Sequence, residues 1–593
     1  MMSRQQIISL FESWRWFLAG ALVVLMCALF MGRVFLSPGL VRSHDMEVHA
    51  SRVANYYLAV KQGQFPPRWA PNTNFGFGMP AFIFTYPYPH AMSVLFFMVT
   101  KNIELGINLF VASSVISAAL GMYLFSYLKT KKTVWSVLVA LAYISVPPFL
   151  VNLFVRGAMG EVGFLGLVPW VMIAILKKEQ LSTWWKWGLA TLVFFFFMVS
   201  HPLSLQLFVP LLIGWYFLEH KVEFSVSGLW QHFISPLALA VLSAALLSMF
   251  FWIPFLVEKP LIQIEGNTSL DLYYRGFVSV PKLVWSKWGY DSLGGGPDVP
   301  FSRMIGPTGI VVALVSAWLV IYGLVQTKRT KEGLSQMRVL FYWLGVFVVT
   351  VVLILQISQP VWELFSFLKF QQFPWRLLWL TTVLAPLMLI ELITIPKFVE
   401  KVIPKIALAG WVVFWTGYAF VFWAKPVSKF TSTNYAWFEF PETGMFFDEL
   451  LPKHFEDHTN LRLVDKVVVR NAGEKVFDRS DQDKPTNAGE FTELSWNGTR
   501  MKYIVTATTS AEVVQKTANY QGWKVRVDGN ETPSTMTDKE FPGRLIFPIT
   551  AGTHTVEVAF TEEYWPRQLG NILSITGGVM ASVVLGWLIK KEV

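Results

Sequence analysis

The sequence predicts a mainly α-helical, polytopic membrane protein with a small β-rich domain near its C-terminus. Three observations predict it. Of 593 residues, 54% are hydrophobic and only 15% are charged, whereas soluble domains carry roughly a quarter charged residues. Apolar runs of spanning length recur through residues 1–424 and return once, near 570–589. Between them, 425–569 is the one long stretch polar enough for water, and its second half alternates as strands do.

The apolar runs fall near 15–36, 103–128, 134–153, 159–176, 186–200, 203–219, 232–257, 304–326, 338–356, 377–395, 405–424 and 570–589. That makes about twelve spans, each near the ~20 residues that a ~30 Å hydrocarbon layer demands. The first run follows Arg4 and Arg15, is interrupted only by Arg33 and lacks a small-x-small cleavage site. It is read as a retained anchor with its N-terminus inside. The stretch 81–100 decides the parity of everything after it. If it dips into the interface, the basic connectors around Lys129, Lys131, Lys132, Lys177, Lys178, Lys328, Arg329, Lys397, Lys401, Lys590 and Lys591 all face the cytoplasm, as the positive-inside rule prefers. Pro80, Pro87 and Pro89 break its first half. An interfacial or re-entrant segment is therefore expected, with a thirteenth full span as the alternative.

This gives a membrane domain over 1–424, with a first outer loop over 37–80 and the interfacial segment 81–100. An extracytoplasmic β-rich domain follows over 425–569. A last span and cytoplasmic tail complete the chain over 570–593. Strands are expected at Met501–Ala507, Ala511–Asn519, Trp523–Val527, Arg544–Pro548 and Thr553–Phe560, punctuated by turns at Asp528-Gly529, Pro542-Gly543 and Ala551-Gly552. The formal charge of +10 belongs to span ends rather than to a basic stripe with stacking aromatics, so no nucleic-acid partner is expected. Cys27 is the only cysteine, which excludes a disulfide framework and a thiolate metal site. No G-x-x-x-x-G-K-[ST], G-x-S-x-G or H-E-x-x-H occurs.

The chemistry concentrates after the first span. Ser43 to His90 packs Asp45, Glu47, His44, His49, basic residues and several prolines into one loop. Such a loop at a membrane surface is a functional candidate. A carboxylate there can take a proton from an attacking hydroxyl or amine. Asp45, Glu47 and His49 are also the set that could hold a divalent cation, Mg or Mn. A D-x-E spacing is equally that of ordinary solvated loop acids. Arg52, Arg68, Arg156 and Arg376 are cations near the outer surface, against the positive-inside trend; they suit phosphate or snorkel to headgroups. Arg156-Gly-Ala-Met-Gly-Glu161 places one charge of each sign between apolar runs, either as an internal ion pair or as a pair lining a cavity. His201-Pro202 sits at a tight turn. Gln372 and Arg376 open a span behind Pro374, a residue suited to a helix start. Trp285, Trp288, Tyr290 and Gly294-Gly-Gly296 form either a sugar platform or an interfacial aromatic belt.

These residues carry a resemblance. The Asp45-x-x-x-His49 loop, with Gly63-Gln-Phe-Pro-Pro-Arg68, Gly76-Phe-Gly78 and Tyr86-Pro-Tyr-Pro, resembles the bacterial 6-pyruvoyl-tetrahydropterin synthase-related membrane family, as do Arg156-Gly-Ala-x-Gly-Glu161 and Gln372-Phe-Pro-Trp-Arg376. Tyr520-Gln-Gly-Trp-Lys-Val-Arg-Val-Asp-Gly529 and Pro548-Ile-Thr-Ala-Gly-Thr-His-Thr-Val-Glu557 resemble the YfhO-like membrane proteins. Where that pattern has Glu-Tyr-Leu-Pro, this chain has Glu449-Leu-Leu-Pro452. Both groups look like GT-C glycosyltransferases. The resemblance implies a plasma-membrane enzyme that passes a sugar from a polyprenyl-phosphate donor to an exported glycan, lipid or protein of the cell envelope. It makes Asp45 the match for the acidic residue that serves GT-C enzymes as base or metal ligand, although the acidic motif is looser than D-x-D or E-x-D. The expected site has Asp45 as catalytic residue with Glu47 and His49, and Arg52, Arg156, Glu161, His201, Gln372 and Arg376 binding the lipid phosphate or sugar. A transporter or flippase for a lipid-linked glycan is the alternative, although no inverted repeat is visible. A non-enzymatic scaffold is the third reading.

Overall fold

The computed structural model describes all residues except 1–3, 223–234, 267–270, 291–301, 327–330, 395–404, 441–448, 457–465, 472–487, 539–540 and 593. Lys328, Arg329, Lys397, Lys401 and the Gly294–Gly296 run lie outside the described residues.

Among the described residues, eight helices are long and apolar enough to cross a membrane: Trp14–Leu36, Ile103–Thr130, Met159–Leu176, Pro202–Glu219, Met337–Ile354, Pro374–Ile393, Lys405–Trp423 and Trp565–Glu592. Two bent pairs, Thr133–Ser145 with Pro147–Arg156 (47°) and Pro236–Leu247 with Met249–Val257 (56°), raise the number to ten if each is one span. Shorter apolar helices, Trp184–Met198 and Pro307–Gly323, occupy the two remaining runs. Every apolar run therefore holds a helix, but fewer than the expected twelve meet the requirement for a full span. This is the architecture of a polytopic membrane protein. The first bend has a local cause. Pro147 and Pro148 follow Val146, which is extended at ψ 143°, because a residue before proline is pushed out of the helical region.

The stretch 81–100 forms two helices, Ala81–Phe84 and Pro87–Thr100. Both ends of the longer one lie at the same end of the bundle. At its start, Tyr88 N donates to Val199 O. At its finish, Asn434 holds Lys101 O and Ile103 N with its side chain. Asn434 follows strand β2 (Lys429–Phe430), which pairs antiparallel with β1 (Leu40–Val41) just before Asp45. Glu104 completes this knot by accepting from Gly39 N, Ser432 N and Trp437 Nε1. These contacts tie both ends of the segment to neighbouring elements at the first-loop side of the bundle. At the opposite end, Lys129 bridges Glu219 at 2.7 Å and Glu391 at 3.5 Å. The helices Pro202–Glu219 and Leu378–Ile393 therefore each run from one end to the other.

The β-rich domain comprises β3 (Val467–Asn471), β4 (Gly489–Trp496), β5 (Arg500–Ala507), β6 (Ala511–Ala518), β7 (Trp523–Val527), β8 (Asn530–Thr532), β9 (Arg544–Ile549) and β10 (Gly552–Phe560). They make two antiparallel sheets, β4-β5-β10-β7-β8 and β3-β6-β9. Alternation in β5 sends Met501, Tyr503 and Val505 inward to meet Val513, Leu545 and Phe547. Buried Tyr503 satisfies its hydroxyl by donating to Gln515 at 2.8 Å. The Asp528-Gly529 turn has φ of 51° and 82°, the left-handed pair that matches strand twist in a tight hairpin.

The domain shares its core with the first loop. Trp69 packs edge-on against Trp523 with ring centroids 5.3 Å apart, and Phe77 and Phe82 belong to the same apolar cluster. Gly78 permits this approach, because a Cβ there would lie 2.3 Å from the Trp69 indole nitrogen. Two ion pairs, one of them buried on both sides, lie where the domain meets the bundle. Arg68 pairs with Glu562 at 3.3 Å and donates to Phe250 O and Asn571. Arg567 grips Glu258 at 3.0 and 2.8 Å, with both side chains fully buried. Arg68 is therefore a structural clamp, not a headgroup contact.

Candidate functional site

A cavity of about 730 Å³ opens at the β-domain end of the bundle. Asp45, Arg52, Tyr86, Arg156, Glu161, His201, Gln372 and Arg376 line its polar side. Trp252, Phe255, Leu256, Phe367 and Phe370 are among its apolar walls. The structure thus brings together all but two of the residues expected at the site. It adds Tyr86, Gln206, Lys259 and Glu449.

Asp45 is the residue just before helix Met46–Lys61. Its backbone is held from the bundle: His44 N donates to Val155 O and Asp45 N to Arg156 O. The Arg156–Glu161 motif makes that approach possible. Gly157 has φ 67°, and a Cβ there would meet Ser43 Oγ at 2.3 Å. A Cβ on Gly160 would lie 2.5 Å from the Tyr86 ring. Both glycines let the first loop and the Tyr86 segment settle onto the bundle. Asp45 is only 5% exposed, and its Oδ1 has no hydrogen-bond partner among the described residues. Burial raises its pKa to about 6, and Arg156, Arg376 and Arg52 limit the rise.

Arg156 donates to Glu161 at 2.6 Å and to Asn152 at 2.7 Å. Asn152 also donates to Glu161 at 3.0 Å. The two sequence readings of this motif are both met: the pair is internal, and it lines the cavity. The Trp375 ring lies below both arginines, 5.3 Å from the Arg156 guanidinium and 6.0 Å from that of Arg376. Pro374 opens the turn that leads into helix Leu378–Ile393. That turn delivers Arg376, whose buried Nε is without a hydrogen bond among the described residues. Gln372 reaches the cavity with φ 64°, while Gln371 is spent on Leu203 O.

His201 caps helix Pro202–Glu219: its Nδ1 accepts from Ser204 N at 3.2 Å. Burial, with Arg376 and Arg156 nearby, pushes its pKa down to about 4 despite Glu161. A neutral ring accepting at Nδ1 carries its proton at Nε2, so His201 is a hydrogen-bond donor.

Glu47 and His49 fall elsewhere. Two residues after Asp45 on a helix is about 200° of rotation, and Glu47 is exposed and does not line the cavity. His49 shares the face of Asp45 but is drawn away by His90, whose Nε2 lies 3.4 Å from His49 Nδ1. His90 Nδ1 donates to Tyr86 O at 3.0 Å, and burial holds this ring neutral with its pKa at about 3. The only consistent assignment has His49 Nδ1 donating to His90. Asp45, Glu47 and His49 therefore form no donor set for a divalent cation. Among the described residues, no group of three or more His, Cys, Asp or Glu side chains could hold a metal ion.

His44 rests against Tyr290, with ring centroids 5.0 Å apart. Trp285 and Trp288 stack around Trp423 outside the cavity lining.

Comparison of the chain with protein-family models gives no match, and comparison with curated proteins gives none either.

Proposed function

We propose that the protein is an integral-membrane glycosyltransferase acting at the outer face of a bacterial plasma membrane. It moves a sugar from a polyprenyl-phosphate donor to an exported glycan, lipid or protein of the cell envelope. The observation that carries the reading is Asp45: a buried carboxylate with an unpartnered oxygen, in one cavity with Arg52, Arg156 and Arg376. The first-loop and Arg156–Glu161 resemblance to GT-C enzymes points the same way.

In this reading the acceptor hydroxyl gives its proton to Asp45 as its oxygen attacks the anomeric carbon. The bond from that carbon to the phosphate oxygen breaks, and its electron pair leaves with polyprenyl phosphate. One displacement inverts the anomeric centre. Arg376 and Arg52 meet the charge that develops on the departing phosphate, where fixed donors lower the barrier most. Arg156, held by Glu161, serves as a rigid third cation. Neutral His201 and Gln372 offer donors to sugar hydroxyls.

The test is sugar transfer by the purified chain in detergent, where no sealed bilayer separates two compartments. Transfer of labelled sugar from a polyprenyl-phosphate donor supports the reading. Failure there, together with movement of the same lipid across sealed vesicles, would replace it with the flippase alternative.

A further inference from the structure

A second cavity, of about 700 Å³, is lined by residues that do not line the first. Arg275, Lys282 and Arg303 line it with Ser279 and Gln356 among the described residues. Arg303 is 7% exposed, and its guanidinium lies 5.9 Å from the Trp375 ring. The Trp375 ring is therefore within about 6 Å of Arg156 and Arg376, which line the first cavity, and of Arg303, which lines the second. The backbone is fixed by Val278 N donating to Ile354 O and by Arg303 N donating to Ser286 Oγ.

The depth of this cavity is set by its neighbours. Leu355, Gln356 and Ile357 line it directly after the spanning helix that ends at Ile354. Val280 and Ile357 on its rim are 57% and 79% exposed. Trp285 nearby is half exposed, as an indole is at a membrane surface. Clustered cations beside an apolar rim at the end of a span match a phosphate headgroup with its hydrocarbon tail.

We propose that this cavity is a second lipid-phosphate site, distinct in its lining from the Asp45 cavity. Its occupant is an anionic phospholipid or other phosphate-bearing lipid, held by Arg275, Lys282 and Arg303 at the headgroup and by Val280 and Ile357 along the tail. The proposal concerns binding and does not depend on the chemistry at Asp45.

Phosphatidylglycerol and phosphatidylcholine of matched chains are titrated into the full chain in uncharged detergent, and bound lipids are counted by native mass spectrometry. Phosphatidylglycerol should bind the more tightly. Arg275→Gln with Lys282→Gln, at an exposed and a half-buried position that leave the buried Arg303 in place, should weaken it roughly thirtyfold, at about fivefold for each cation removed near a membrane surface. Arg376→Gln, which alters the first cavity alone, should leave that binding intact. Equal affinity for the two lipids, an unchanged affinity in the double variant, or loss of binding with Arg376→Gln alone would overturn the proposal. Displacement of phosphatidylglycerol by inorganic phosphate at equal concentration would also overturn it, since the site would then need no tail.

Discussion

Asp45 pays for its burial, and that cost is measurable. Its folded pKa of about 6 lies above its ordinary value of 3.8, so the folded chain holds this proton more tightly than the unfolded chain does. Stability from this group is fully present below about pH 4 and is lost as pH rises toward 6. At neutral pH the loss is on the order of 3 kcal/mol. Asp45→Asn removes the ionisation. The variant should have a higher melting temperature than the parent at neutral pH, and the difference should vanish near about pH 4. The same variant should lose about 10²–10⁴-fold in transfer rate, the span of a general base. Transfer by the parent should rise as pH passes through about 6, because only the carboxylate can accept a proton. A destabilised variant that keeps its activity would make Asp45 a structural residue. At this scale the sequence was partly legible. An acid just beyond a span is visible in a linear string, as are arginines on the wrong side of a charge rule. The fate of Glu47 and His49 was not, since it depends on where helix Met46–Lys61 begins and on His90, which lies 41 residues away.

Whole elements set the distances between these groups. The Arg156–Glu161 turn reads as a charge pair in sequence, but its glycines do the positioning. Gly157→Ala would force a side chain into left-handed backbone and into Ser43 Oγ. It should move the first loop off the backbone of Val155 and Arg156 rather than unfold the bundle. The expected outcome is normal expression and a transfer rate at least tenfold lower. Gly417→Ala, at a site with open space beside it, should be silent in the same assay. Equal behaviour of the two variants would mean that loop position does not matter. Strands were the most legible elements. Trp523–Val527 is found over the residues read from sequence. Short β8 and early β3 and β4 escaped: β8 has only three residues after Asp528-Gly529, and β4 leaves most of its side chains exposed, so neither carries a clear apolar alternation. The parity of 81–100 was legible only through charge bias. In the structure Tyr86 lines the Asp45 cavity and Lys101 O is held by Asn434.

At the scale of the whole molecule, the β-rich domain is joined to the membrane helices by charges buried where neither partner meets water. Sequence could not disclose this, because Glu258 and Arg567 lie 309 residues apart and each looks like an ordinary residue at a span end. Arg567 also donates to Thr561 O and Gln521 O, so its removal strands a carboxylate and two carbonyls at once. Breaking one side of such a pair typically costs about 3–5 kcal/mol, whereas replacing both partners is often far milder. Arg567→Met and Glu258→Met should each lower the melting temperature sharply and open the domain junction to limited proteolysis. The double variant should recover part of that loss, with a coupling on the order of 1–3 kcal/mol in the cycle. Lys259, next to Glu258, and Glu449 with Leu450 line the Asp45 cavity. A junction loosened at Arg567 should therefore raise KM for the sugar donor more than it lowers kcat, because the cavity wall shifts while Asp45 stays anchored on Arg156 O. Proteolysis at the junction with unchanged donor KM would show that the domain stands apart from the site. In that case the cavity would belong to the helices and the first loop alone.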